Sequence, residues 1–131
     1  MITNKDIQVY ILSSIIFLVL DAFYLSSTKT FFNKLVKKIQ GREITIKYKS
    51  VIACYLFLTL SLNSFAILNN KLKDDEKVKN AFFLGLAIYG VYETTNYAIF
   101  DNWSFQAVVM DTIWGGILFA STTLLTLKFS K

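Results

Sequence analysis

Four stretches of the chain are predominantly apolar for long enough to cross a bilayer, and charged or polar connections separate them. The runs are Ile7 to Thr28, Tyr48 to Leu68, Asn80 to Phe100 and Ser104 to Leu127. Each reaches the roughly 20 helical residues that about 30 Å of hydrocarbon requires. No proline and only five glycines interrupt the chain, whereas a β-barrel would need alternating strands and frequent turns. Backbone in lipid must satisfy its own hydrogen bonds, so each run is expected to be one continuous helix. The pattern predicts an all-α, integral membrane four-helix bundle, a single transmembrane domain over residues 1–131 with both termini on the same side.

The connections differ. Between the third and fourth runs lie only Asp101 to Trp103, which forces a tight antiparallel hairpin; Asn102 or Ser104 is placed to cap the fourth helix, and Trp103 suits a membrane interface. The second connection, NNKLKDDEKVKN, reads as a short solvated turn. In the first, TKTFFNKLVKKIQG, Phe31, Phe32, Leu35, Val36 and Ile39 recur at helical spacing while Lys34, Lys37 and Lys38 fall largely on the other face. That spacing predicts an interfacial amphipathic helix between helices 1 and 2, ended by Gly41, with its lysines near anionic lipid headgroups.

Composition sharpens this by exclusion. Hydrophobic residues make up 54% of the chain, above the usual range for a soluble domain of this size. The first run is too long for a signal-peptide core and is read as a retained span. The net charge of +5 resides in the connections, which suits lipid headgroups and not nucleic acid. Histidine is absent and Cys54 is the lone cysteine; this removes the usual zinc ligands and any intrachain disulfide. Basic residues divide seven and seven between the two ends of the bundle, Lys49 being counted with the first connection. The longer first connection, less diluted by acids, is the better cytoplasmic candidate, and the termini are then non-cytoplasmic.

Three acids lie inside the runs, where a carboxylate costs a few kcal/mol or more unless it is paired or protonated. Asp21 is seven residues before the end of the first run, Glu93 seven before the end of the third, and Asp111 seven after the start of the fourth. Runs 1 and 3 point one way and run 4 returns, so all three acids fall in one leaflet, roughly 10 Å below its surface. Helical spacing adds Tyr24 and Thr28 to the face of Asp21, Tyr89 and Asn96 to that of Glu93, and Trp114 with Gly115 to that of Asp111; Cys54 and Tyr55 reach the same depth from run 2. The candidate pocket is Asp21, Tyr24, Tyr89, Tyr92, Glu93, Asn96, Asp111 and Trp114.

Carboxylates without histidine or paired cysteine suit hard divalent cations, with Asp21, Glu93 and Asp111 as ligands. Crowded carboxyls in a low dielectric equally suit a proton. Three readings stay open: a site that binds or passes a small cation or proton, a structural envelope or virion membrane protein without catalysis, and a metal-assisted lipid-modifying enzyme. A homo-oligomer is compatible with all three. Phosphate-binding glycine loops, catalytic triads and fixed-period repeats are absent. Ala81 with Gly85, and Gly116 with Ala120, are small-residue pairs at the spacing that lets helices touch.

FLVLDAFYL in the first run and LGLAIYGVYETTNYAIFDNWSFQAVVMDTIWGGIL across the last two resemble an uncharacterised family of small four-helix predicted membrane proteins, with bacterial and large-DNA-virus members. The family pattern falls on Leu20, Asp21 and Tyr24, on Tyr92, Glu93, Thr95 and Asn96, on Trp103, and on Asp111, Trp114 and Gly115. Glutamate at 93, where the family more often has aspartate, adds a methylene. The resemblance implies four helices and a shared polar set, and carries no activity with it.

Overall fold

The computed structural model describes residues 2–131. Helix α1 covers Asn4–Gln40, α2 Tyr48–Leu62, α3 Asp74–Ile99 and α4 Phe105–Phe129, and a π-helical turn, Asn63–Ile67, extends α2. Among the described residues there is no strand. Three helices are long and apolar enough to cross a membrane: α1, α2 together with its π turn, and α4. Residues Glu93 to Asn96 lower the hydropathy of α3, which runs against α4 as the most extensive pairing in the fold.

The amphipathic segment after Thr28 is helical as its spacing requires, but it continues α1 without a break, where a separate surface helix is expected from sequence. The Ser27 and Thr28 hydroxyls donate to carbonyls one turn back, at Phe23 and Tyr24, both at 2.9 Å. These polar groups are therefore satisfied within the helix, and no glycine or proline occurs before Gly41 to stop it. Gly41 takes the left-handed conformation (φ 77°) and its N–H caps the Lys37 carbonyl at 2.8 Å. The 37 residues of α1 measure about 55 Å, well beyond a hydrocarbon core. Its last turns lean on the bundle, and Leu35 is buried. At the other end, Thr3 and Asp6 form a capping box, each side chain accepting from the other's backbone N–H at 3.1 Å.

Glycine sets the α3–α4 spacing. A Cβ on Gly85 would lie 2.1 Å from the Gly115 carbonyl oxygen, and one on Gly116 would lie 2.8 Å from the Phe82 ring. Ala81 is also fully buried, so the first of the small-residue pairs does line the contact. Asn102 turns the hairpin at φ 70°, and Ser104, not Asn102, caps α4 by accepting from the Ala107 N–H at 3.2 Å.

Both termini lie at one end of the bundle: Lys5 Nζ donates to the Ser130 carbonyl at 2.6 Å, and Lys131 pairs with Asp74 at the start of α3. Lipid-facing surfaces carry Ile11, Val19, Phe23, Phe57 and Ile117, all exposed, while the interior holds Ser13, Thr59, Asn63, Thr122, Thr123 and Thr126. This is the distribution a hydrocarbon solvent favours, with polar groups turned inward to find partners.

Candidate functional site

Helix register alone turns all three acids inward, and Asp21, Glu93 and Asp111 are all buried, Glu93 at 0% exposure. They line one cavity of about 240 Å³ with Tyr24, Tyr89, Tyr92 and Trp103. Of the residues singled out from sequence, Trp114 also belongs to the constellation, since its indole donates to Asp21 Oδ1 at 3.0 Å. Asn96 is buried on α3 one turn nearer the hairpin and does not line the cavity.

The acids have different neighbours. Both Asp21 oxygens are occupied, one by Trp114 and the other by a short hydrogen bond from the Tyr55 hydroxyl. Asp111 Oδ1 accepts from the Tyr24 hydroxyl at 3.0 Å. Glu93 Oε1 accepts from the Trp103 indole at 2.9 Å, and its Oε2 is buried without a partner among the described residues. Glu93 and Asp111 line the same cavity from adjoining helices. Tyr24, which donates to Asp111, and Trp114, which donates to Asp21, are stacked with ring centroids 4.5 Å apart and planes 3° from parallel. Asp21 thus has both oxygens held by aromatic donors, while Glu93 and Asp111 each accept from one.

Among the described residues no three Asp, Glu, Cys or His side chains form a group able to hold a metal ion. Both Asp21 oxygens accept from tyrosine and tryptophan. The ion pairs among the described residues, Lys37 with Glu43 at 3.1 Å and Lys131 with Asp74, are both exposed and involve none of the three acids.

Two contributions were not legible in the pattern. Trp103 reads as an interface anchor in a turn, yet the tight hairpin folds its indole back onto Glu93, ten residues earlier. Phe32 and Val36 belong to the segment read as lying on the membrane surface, yet they wall the cavity. A second cavity of about 210 Å³ adjoins the first through Tyr89, Tyr92 and Asp111 and is walled by Cys54, Leu58 and Ile88. It lies between α2 and α3, where the first half of α2 stands away from the bundle with Val51, Ile52, Leu56 and Phe57 exposed.

Fold and site together define a small helical membrane protein with a buried acid–aromatic cavity. Residues 6–128 match the family of predicted membrane proteins DUF2177, and the chain belongs to that family. No curated protein and no solved structure shows detectable similarity to it.

Proposed function

We propose that the Glu93–Asp111 pair is a membrane-embedded site that binds a proton, or one small monovalent cation in its place. The observation that carries this reading is the wholly buried Glu93, with one carboxyl oxygen unpartnered, lining one cavity with the Asp111 carboxyl, and neither acid in an ion pair among the described residues. Two acids meeting in a low dielectric repel unless a positive charge lies between them, and a shared proton turns that repulsion into a hydrogen bond. Tyr24 and Trp103 would hold the pair in register from outside, each donating to one carboxyl oxygen. Asp21, already saturated, serves to fix Tyr55 and Trp114. The exposed face of the last turns of α1, with Lys34, Lys37 and Lys38, is read as resting on anionic headgroups.

The test is infrared spectroscopy of the reconstituted protein during a pH titration. A carboxylic-acid C=O band is expected that disappears in both Glu93→Gln and Asp111→Asn, because each removes half of one shared-proton pair. A response to Na⁺ at fixed pH, lost in the same variants, selects the cation. If the wild-type spectrum holds no carboxyl signal dependent on either residue, and Na⁺ changes nothing, the pair is a structural contact and the protein is better read as a structural membrane component.

A further inference from the structure

A cavity of about 570 Å³ near the terminal end of the bundle lies between the start of α1 and the end of α2, far from the carboxyl pair in sequence and in leaflet. Its polar lining is Asp6, Tyr10, Asn63 and Ser64, and its apolar lining includes Ile7, Ile11 and Leu60. Asn63 opens the π turn, whose wider register is marked by the Leu68 N–H donating to the Asn63 carbonyl at 2.9 Å.

Hydrogen bonding decides what these groups present. Ser13 Oγ donates to the Tyr10 carbonyl at 2.9 Å, so it can only accept from Asn63; the Thr59 carbonyl is also an acceptor. Asn63 Nδ2 must therefore face both, each at 2.9 Å, and this fixes the amide orientation. The oxygen Oδ1 is left over, on a side chain only 1% exposed, with no partner among the described residues. The same reasoning applies to Tyr10. Thr59 Oγ1 donates to the Tyr55 carbonyl at 2.8 Å, so the Tyr10 hydroxyl donates to Thr59 at 3.1 Å and keeps its lone pairs for the cavity. Asp6, one turn from Tyr10 on the same face of α1, adds a carboxylate at headgroup level. Ser64 adds a hydroxyl, and no lysine or arginine lines the cavity.

We propose that this cavity binds the primary ammonium headgroup of a lipid, with N–H groups donating to Asn63 Oδ1, the Tyr10 oxygen and the Asp6 carboxylate, and the acyl chain following Ile7, Ile11 and Leu60. Acceptors and negative charge at the polar end call for a donor cation, and the apolar remainder opens at the membrane boundary. A quaternary ammonium has the charge but no N–H; a glycerol headgroup has O–H donors but no cation.

Those differences supply the experiment. Native mass spectrometry of the detergent-purified protein, titrated with phosphatidylethanolamine, phosphatidylcholine and phosphatidylglycerol of identical chains, should show ethanolamine retained about tenfold more tightly than the other two. Asn63→Leu and Asp6→Asn should each reduce that preference several-fold. Leu60→Trp fills the cavity from a lipid-facing position without touching a hydrogen bond and should abolish the preference; it carries the test if Asn63→Leu does not fold. Equal retention of the three lipids by the wild type overturns the proposal, as does an ethanolamine preference that survives Leu60→Trp. Glu93→Gln should leave the preference intact.

Discussion

The α3–α4 and α1–α2 interfaces hold helices together by opposite means. Between α3 and α4 the backbones touch: Gly85 sits against the Gly115 carbonyl, and Gly115 lies under the Tyr89 ring. Between α1 and α2 the helices meet sparsely and are tied by side-chain hydrogen bonds, Tyr10 to Thr59, Asn63 to Ser13 and Tyr55 to Asp21. Lipid tails are as apolar as leucine, so burying hydrocarbon gains little inside a bilayer, and helices associate by close packing or by satisfying polar groups. The packed interface is rigid and places the Glu93–Asp111 pair. The tied interface leaves gaps, and both other large cavities described above adjoin α2.

Substitutions can break each interface separately. The largest effect is expected from Gly85→Val, whose side chain would enter the Gly115 backbone. Overpacking against backbone costs about 3 kcal/mol or more where nothing can yield, so the variant should unfold at markedly lower denaturant in a detergent unfolding titration. Tyr55→Phe removes the donor to one Asp21 oxygen and leaves a buried carboxyl short of a partner, at a cost of about 1–3 kcal/mol by the same titration. Ser13→Ala deprives Asn63 of one of its two acceptors and should cost about 0.6 kcal/mol, the average for an interhelical hydrogen bond in a membrane. Combined with Gly85→Val it should add independently, because the two sites share no contact; strong coupling in a double-mutant cycle would show that the interfaces are not separate.

The smallest effect belongs to the Asp74–Lys131 contact at the terminal end. The Lys131 ammonium, hydrogen-bonded to Asp74, holds its carboxyl below the usual carboxylate value. A lowered folded value contributes stability above the unfolded value and loses it as pH falls through the folded one. Both groups are exposed, so salt screens the pair. Lys131→Ala should shift the unfolding midpoint barely at neutral pH and not at all below the carboxylate range. A shift that persists in strong acid would mean that Lys131 acts by packing and not by charge.

Much of the site was legible because helical depth is a one-dimensional quantity. Counting residues from the run ends places Asp21, Glu93 and Asp111 at one level, and the structure lines a single cavity with all three. Counting also finds Tyr55 at that level, although its bond to Asp21 depends on how α2 is rotated. What counting misses is lateral: which acid faces which donor. Trp103 reaches Glu93 only because the turn is tight, and Phe32 and Val36 reach the cavity only because α1 runs on past Thr28 and leans inward. The first apolar run ends at Thr28, but the hydroxyl there is bonded within its own helix, which runs on.

Sequence alone determined the solvent, the helical class and the depth of the acids, because hydrocarbon allows an apolar run one way to satisfy its backbone, and 1.5 Å per residue converts position into depth. Tertiary structure alone decided that Asp21 has both oxygens bonded while Glu93 keeps one without a partner among the described residues. It also decided that the amide nitrogen of Asn63 is bonded and its side-chain oxygen is without a partner among the described residues. These outcomes depend on the rotation of each helix about its own axis and on the angles between helices. In a bilayer those are set by glycine contacts and polar ties between residues distant in the chain, which no local period records.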